Sequence, residues 1–306
     1  MILSCGEALI DMLPRTTPAG EAAFAPYAGG AVFNTAIAIG RLGAPSGFFS
    51  GLSSDLFGDL LRQTLADSRV DTSPAHVSPR PTTLAFVRLT NGHASYTFYD
   101  ENTAGRMLSP DDLPTLGANV EALFFGGISL VGEPAAQAYE ALQAREAPHR
   151  ATMVDPNIRP SFITDEEGYR ARIGRMIARA DIVKLSDEDL RWLLGEGDSH
   201  DHARRILEMG PSLVCITEGE RGATGHTRSG YLHVPAPRVT VADTVGAGDT
   251  FNAGVLTALW RARRLTKDAV QALPEDVLRD ALTLGTRAAA VTVSRPGANP
   301  PWAHEL

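Results

Sequence analysis

The chain alternates short apolar runs with stretches in which apolar residues recur every three or four positions. Ala122-Leu-Phe-Phe125 predicts a buried strand with Gly126-Gly127 at its exit, and Pro134 to Arg145 has helical composition. Thr152-Met-Val154 predicts a second strand ending at Asp155, Asp181-Ile-Val-Lys-Leu185 a third, and Leu213-Val-Cys-Ile-Thr217 a fourth that runs into a glycine-bearing turn. Ser186 stands where an N-cap is expected, ahead of a helix over Asp187 to Leu194 with acids in its first turn. Strands alternating with helices predict βαβ units and an α/β fold, with a central, mostly parallel sheet carrying helices on both faces. Such sheets bind ligands beyond the carboxyl ends of their strands. Asp155, Lys184 and Thr217 fall at those ends, so one face is expected to collect the chemistry.

Two segments break the alternation. Residues 12–27 (MLPRTTPAGEAAFAPY) are rich in turn formers and lack a helical period. Residues 82–100 hold two runs of β-like alternation joined by Asn91-Gly92, a strong two-residue hairpin signal. Together they predict a small β-sheet lid inserted in one α/β domain spanning 1–306, able to close over a substrate or to pair with its copy in a homodimer.

Composition narrows the function. The 306 residues are 43% hydrophobic and carry a formal charge of -8, which argues against a nucleic-acid partner or an anionic membrane surface. The N-terminal MILSCGEALIDML has no basic leader and is interrupted by Glu7 and Asp11, so neither a signal peptide nor a membrane span is expected. Two cysteines in apolar runs give no disulfide framework, which fits a reducing, cytoplasmic setting. The eight histidines show no ligand spacing; His200 and His202 are expected on a solvated loop, and Trp192 and Trp260 to pack. Of the 28 basic residues only Lys184 and Lys267 are lysines, and neither follows the glycines of a GxxxxGK[ST] phosphate loop.

The chemistry concentrates in DTVGAGDTFNAG, residues 243–254. Gly246, Ala247 and Gly248 leave backbone N–H groups uncovered, and a helix beginning at about Asp249 would add its own unpaired N–H groups and positive dipole end. An anion can bind there without lysine. An acid beside that anion is costly unless it accepts a proton from a hydroxyl attacking a phosphoryl group. Thr250 and Asn252 continue a polar edge, while Phe251, Val255, Ala258 and Leu259 form the core stripe. A capped helix after a glycine turn would explain the same residues without a ligand. GGAVFNTA, residues 29–36, pairs glycines with Asn34, which suits a polyol, and TEGERG, residues 217–222, is a glycine turn after a strand; each also suits plain packing.

Taken together, GGAVFNTAIAIGRLG (29–43) and DTVGAGDTFNAG resemble the two signature regions of the ribokinase-like, or PfkB, sugar kinases, in order and separation. TEGERG resembles that family's nucleotide turn and VSRPGA (293–298) its C-terminal segment near a cation. The resemblance implies the ribokinase-like fold and transfer of the γ-phosphoryl of ATP to a small-molecule sugar with Mg²⁺, often with K⁺ bound. It implies that Asp249 is the catalytic base and Gly246, Ala247 and Gly248 the anion hole. Asp11, Gly30 and Asn34 would contact the sugar, Thr217, Gly219 and Gly222 the nucleotide, with Lys184 and Ser186 on the adjoining strand end. Asp243 and the carbonyls of Val245, Arg295 and Gly297 would form the monovalent-cation loop. Where many members carry Asn-x-x-Glu near magnesium, this chain has Ser186-Asp-Glu-Asp189, so Asp189 or Glu188 would take that role.

Asp155-Pro-Asn-Ile-Arg159 is similar to a segment of fructokinases and 2-keto-3-deoxygluconate kinases, with Arg159 facing the phosphoryl group or the sugar. The lid separates the two. Ketodeoxygluconate kinases resemble one another in an arginine after the lid tyrosine, whereas Tyr99 is followed here by Asp100, which would repel a sugar acid; Arg106 nearby could restore part of that charge. Fructose is therefore the expected substrate and Tyr99 an expected contact, with ketodeoxygluconate or a riboside as alternatives. Outside the kinases, a sugar- or nucleotide-binding regulator would have little reason to keep Asp249. A dinucleotide-dependent oxidoreductase would need GxGxxG where SCGEALID stands.

Overall fold

The computed structural model describes the backbone of residues 1–90 and 93–306 and the side chains of 1–88 and 96–306. Among the described residues the strands are, in chain order, β1 (Ile2–Cys5), β2 (Leu9–Thr16), β3 (Ala22–Gly29), β4 (Ser46–Phe49), β5 (Gly51–Ser53), β6 (Val70–Asp71), β7 (His76–Ser78), β8 (Leu84–Thr90), β9 (His93–Tyr99), β10 (Ala122–Gly126), β11 (Ala151–Asp155), β12 (Ile182–Ser186), β13 (Leu213–Thr217), β14 (Ala223–Thr227) and β15 (Gly230–Val234). The helices are α1 (Ala31–Arg41), α2 (Leu56–Asp67), α3 (Ala135–Glu146), α4 (Glu166–Arg179), α5 (Asp187–Leu194), α6 (Ser199–Met209), α7 (Ala247–Arg261), α8 (Lys267–Gln271) and α9 (Glu275–Val293).

A nine-stranded sheet runs β15-β14-β13-β12-β11-β10-β1-β4-β6. It is parallel from β13 to β6, and β14 and β15 add an antiparallel edge. Side-chain alternation splits each central strand between two cores. Ile2, Ala122 and Phe124 join α1, α2, α7 and α9 on one face. Leu3, Cys5, Leu123 and Phe125 join α3, α4, α5 and α6 on the other. Burial on both faces is why these strands read as unbroken apolar runs. Ser186 caps α5 as expected: its hydroxyl accepts from the Asp189 amide, and the Asp189 carboxylate takes the Ser186 amide in return. A cap of this kind stabilises a helix by about 1 kcal/mol.

A second sheet of four strands, β3-β2-β8-β9, stands off the first. It reaches beyond the segments marked by sequence, to Leu9 and Gly29. The expected turn at Asn91-Gly92 lies outside the described residues. Two sequence expectations are corrected. His200 and His202 are not on a solvated loop: Asp198 caps α6 at the amides of His200 and Asp201, His202 is buried, and the His200 ring lies 4.2 Å from that of Tyr231. Thr250 and Asn252 do not form an exposed polar edge, because α7 is packed between α1, α9 and the sheet. Thr250 bonds Thr292 of α9, and Asn252 points to Asp155 of β11.

Candidate active site

The glycine loop sets the position of Asp249. Gly246 adopts φ 78 as the N-cap of α7, a conformation open mainly to glycine, so the helix begins at Ala247, two residues before the start expected from sequence. Asp249 thereby falls within the first turn, where the backbone N–H groups have no helical partners. A Cβ on Gly246 would sit 2.8 Å from the Cβ of Ala298, so the C-terminal segment forms the back wall of the loop. A Cβ on Gly248 would approach Lys184 Nζ to 3.1 Å. The bare backbone there leaves room for the ammonium.

Asp249 is 7% exposed, and its Oδ2 accepts from Asn34 Nδ2 at 2.9 Å. Burial pushes its carboxyl up to about 7; the Asn34 hydrogen bond pulls the other way, nearby Asp155 adds to the rise, and Lys184 opposes it. Beneath it, Lys184 Nζ lies 3.1 Å from Asp155 Oδ2, and Asn252 Nδ2 donates to that same oxygen at 2.7 Å. The charged pair is almost completely enclosed, so the lysine is held raised and charged by the two acids Asp155 and Asp189 against the cost of its burial. Among the described residues the amide oxygen of Asn252 is buried without a partner, an acceptor left open beside the pair.

The residues expected to meet the sugar lie at the foot of the lid beside the start of α1. Asp11 of β2 has its carboxyl raised to about 6 by burial, and a Cβ on Gly29 would fall 2.5 Å from its Oδ2. Gly30, at φ 114, is the N-cap of α1 and crosses close over the Glu7 carbonyl. Strand register decides the lid residues. Asp11 pairs with Ala85, and Ala85 with Phe98, so these three share one face of the lid. Tyr99 therefore falls on the opposite face, 60% exposed and edge-on to Phe86; the sequence expectation of a Tyr99 contact is corrected, and Phe98 takes the cleft side. Beyond Glu7 a cavity of about 450 Å³ opens between Phe98, Asp100, Ile128 and Tyr169. Asp100 is tied to Arg106 at 2.6 Å, so neither presents a free charge there. Arg159 is exposed at the rim, and its guanidinium donates only to the neighbouring Ile158 carbonyl among the described residues.

In the turn expected to meet the nucleotide, Thr217 ends β13, and Gly219 at φ 58 would carry a Cβ into open space. Gly222 closes the turn, where a Cβ would strike the Val234 carbonyl at 2.1 Å. Asp243 accepts from the amides of Val245 at 3.1 Å and Gly297 at 3.0 Å, stitching the loop to the C-terminal segment. The Arg295 side chain turns to Glu305, and the Val293 carbonyl accepts from the Asp243 amide at 3.2 Å. Asp189 is buried with both oxygens engaged, by the Ile158 amide and by Ser186, whereas Glu188 faces solvent.

Sequence reasoning missed Glu7. It is half-buried, and its carboxylate accepts from the amides of Ala31 at 2.9 Å and Ser129 at 3.2 Å, capping α1 from a different strand end. An acid directly after a glycine at the end of an apolar run was the available signal. Asp155 and Asn252 were visible in the sequence, yet their meeting across the fold was not.

Comparisons agree with this geometry. The chain matches the pfkB family of carbohydrate kinases over residues 1–305. It is 56% identical over 280 residues to a fructokinase of Rhizobium leguminosarum bv. trifolii, covering 92% of this chain and 86% of that one. The fold superposes on a crystal structure of Xylella fastidiosa fructokinase with bound ATP at TM-score 0.88 and 29% identity, covering 97% of this chain and 93% of that one. It also superposes on a Vibrio cholerae O395 fructokinase bound to fructose, ADP and potassium at TM-score 0.84 and 27% identity, with coverage of 97% and 93%. The family match spans residues 1–305, and with it a glycine-bounded helix tip holding a buried acid between a β lid and the strand ends of a parallel sheet; the chain belongs to the pfkB family of carbohydrate kinases.

Proposed function

We propose that the protein is an ATP-dependent kinase that transfers the γ-phosphoryl group to a hydroxyl of D-fructose, with Asp249 as general base. The observation that carries this reading is the buried Asp249 carboxyl, raised to about 7 in the first turn of α7, next to uncovered glycine amides. A base titrating near neutrality is matched to accepting a proton from an alcohol as it attacks. The sugar oxygen forms its bond to phosphorus as the bond to the ADP oxygen breaks, and the hydroxyl proton passes to Asp249. Charge on the transferring group is met by the N–H groups of Gly246, Ala247 and Gly248 and by Lys184.

Asp11, Gly30 and Asn34 hold the sugar hydroxyls, Phe98 covers the ring, and Arg159 closes the rim. Thr217, Gly219 and Gly222, with Ser186 at the adjoining strand end, form the nucleotide side. Mg²⁺, when bound, neutralises charge on the β- and γ-phosphates; with both Asp189 oxygens engaged and Glu188 in solvent, the acids of this chain suit support through water, from Asp155 and Asp189. Asp243 braces a loop whose Val245, Arg295 and Gly297 carbonyls suit K⁺, the ion found in the Vibrio relative. A neutral ketose is favoured over a sugar acid because Arg106 is already paired with Asp100. The chain acts as one catalytic domain, and the exposed outer lid face of Phe24 and Tyr99 suits a homodimer. Two unpaired buried cysteines suit a cytoplasmic setting.

A coupled ATP-consumption assay over fructose, other hexoses, 2-keto-3-deoxygluconate and ribosides tests this. Turnover is expected on fructose and to be lost in Asp249→Ala, with ATP binding retained. Turnover on ketodeoxygluconate but not on fructose would reverse the substrate. Full turnover by Asp249→Ala would assign the base elsewhere.

A further inference from the structure

We propose that Asn34 is a positioning residue for phosphoryl transfer, holding one oxygen of the Asp249 carboxylate so that the other is presented to the sugar hydroxyl. The inference rests on Asp249 being the base, as read above, and adds a role that contact with the sugar alone would not give Asn34.

The geometry is specific. Asn34 lies in the first turn of α1, its backbone amide donating to the Gly30 carbonyl at 2.8 Å, so the glycine pair fixes where the side chain starts. It is 8% exposed, and its Nδ2 donates to Asp249 Oδ2 at 2.9 Å. The next residue joins in: Thr35 Oγ1 lies 3.3 Å from the Asp249 backbone oxygen. Asn34 thus holds the carboxylate, while the Thr35 hydroxyl, which donates to the Ala31 carbonyl at 3.0 Å, lies against the backbone of the same residue in α7. Among the described residues no other donor reaches the Asp249 side chain, and Oδ1 accepts no hydrogen bond from the protein. A carboxylate gripped through one oxygen has its plane fixed and a single oxygen left for an incoming hydroxyl. The Asn34 amide oxygen stays available to a second sugar hydroxyl, which would tie sugar position to base position through one side chain.

The charged groups that face Asp249 are Asp155 on β11, Glu7 after β1, and Lys184 on β12. The two acids and burial favour the protonated form. Lys184 opposes them, but it already serves Asp155. The Asn34 bond is the foremost influence keeping the carboxylate ionised. Removing it should shift the base toward its protonated, inactive form.

The test is the pH profile of kcat/KM for fructose, whose acid limb reports ionisation in the free enzyme. Wild type should show a limb near 7. Asn34→Ala should move that limb up by about one unit or more, since a hydrogen bond to a charged group is lost. Asn34→Asp, which sets a second acid against the first, should move it further. Well above the shifted limb, kcat of Asn34→Ala should still stay below wild type, because the freed carboxylate no longer presents one fixed oxygen to the hydroxyl. Asn34→Ser serves if the alanine variant fails to fold. A carbon-13 NMR titration of the Asp249 carboxyl in the ligand-free protein should show the same displacement without turnover. A limb and a carboxyl titration both unmoved, with only KM raised, would overturn the proposal and leave Asn34 a sugar contact. Full activity in Asp249→Ala would instead remove the base on which it rests, so the two failures are distinct.

Discussion

The floor of the cleft and the lid above it are built on opposite terms. On the floor, Asp249, Asn252, Asp155 and Lys184 are 7%, 1%, 2% and 3% exposed and are held by hydrogen bonds to one another or to α1. On the lid, Phe24, Tyr27 and Tyr99 are 47%, 46% and 60% exposed, and the sheet meets the body mainly at its base through β2 and α2. The floor keeps charges where water is scarce, which is unfavourable for folding and favourable for catalysis, because dipoles already aligned need no reorganisation. The lid leaves apolar surface in water, which is sensible only where something will cover it. Chemistry is thus assigned to rigid packing and selection to a surface that is still open.

The largest expected effect is a direct break of the floor. Asp249→Asn should lower kcat by at least about 10²-fold, the low end of what a general base contributes. It should also stabilise the fold at alkaline pH. The folded carboxyl titrates near 7 and the unfolded one near its ordinary value of 3.8, so the native state binds the proton more tightly. Stability is therefore lost as pH rises between those values, and the full penalty applies at pH 8. Neutral asparagine escapes it, and a gain of roughly 1–4 kcal/mol is expected there, vanishing below pH 4. Thermal melts of both proteins at pH 8 and pH 4 measure it. A difference independent of pH would mean that burial does not hold this carboxyl up.

A sharper break separates two glycines of the same loop. Gly246→Ala must adopt φ 78 and press on Ala298 at 2.8 Å, and should cost about 1–3 kcal/mol of stability in a melt. Gly248→Ala has an ordinary helical backbone and meets only the Lys184 ammonium at 3.1 Å. Its stability should change by less than about 1 kcal/mol, while kcat falls because the lysine is pushed off its place beside Asp155. Equal melting temperatures for the two variants would contradict the division of labour between a turn glycine and a clearance glycine.

Much of the floor was legible because its signals are local. Apolar runs gave the strands, Ser186 with Asp189 the cap of α5, and Gly246 to Asp249 a glycine-bounded helix tip. What stayed hidden depends on packing between distant elements. Asn34 and Asp249 are 215 positions apart, and no periodicity in either segment foretells that one bonds the other. Thr250 and Asn252 read as a polar edge, and helical spacing cannot show that α9 and β11 cover it. On the lid, alternation correctly marked strands but not which face was inward. That choice is fixed by the parallel pairing of Asp11 with Ala85, a contact between segments more than seventy residues apart.

The face assignment yields the smallest and most discriminating prediction. Phe98 packs against Phe162 with ring centroids 4.7 Å apart on the cleft side, whereas Tyr99 meets Phe86 at 5.4 Å on the outer side. Phe98→Ala should raise KM for fructose by roughly five- to thirtyfold, about 1–2 kcal/mol of lost apolar cover, with kcat changed less. Tyr99→Ala, one residue away, should leave KM within about twofold, since its ring never faces the sugar. Its effect should appear instead in sedimentation, as a weaker self-association if the outer lid face joins two copies. Steady-state kinetics and sedimentation velocity on the two variants read both arms. A KM raised by Tyr99→Ala and spared by Phe98→Ala would mean that β9 is offset by one residue when the lid closes, because a slip of one position exchanges the faces of every side chain on the strand.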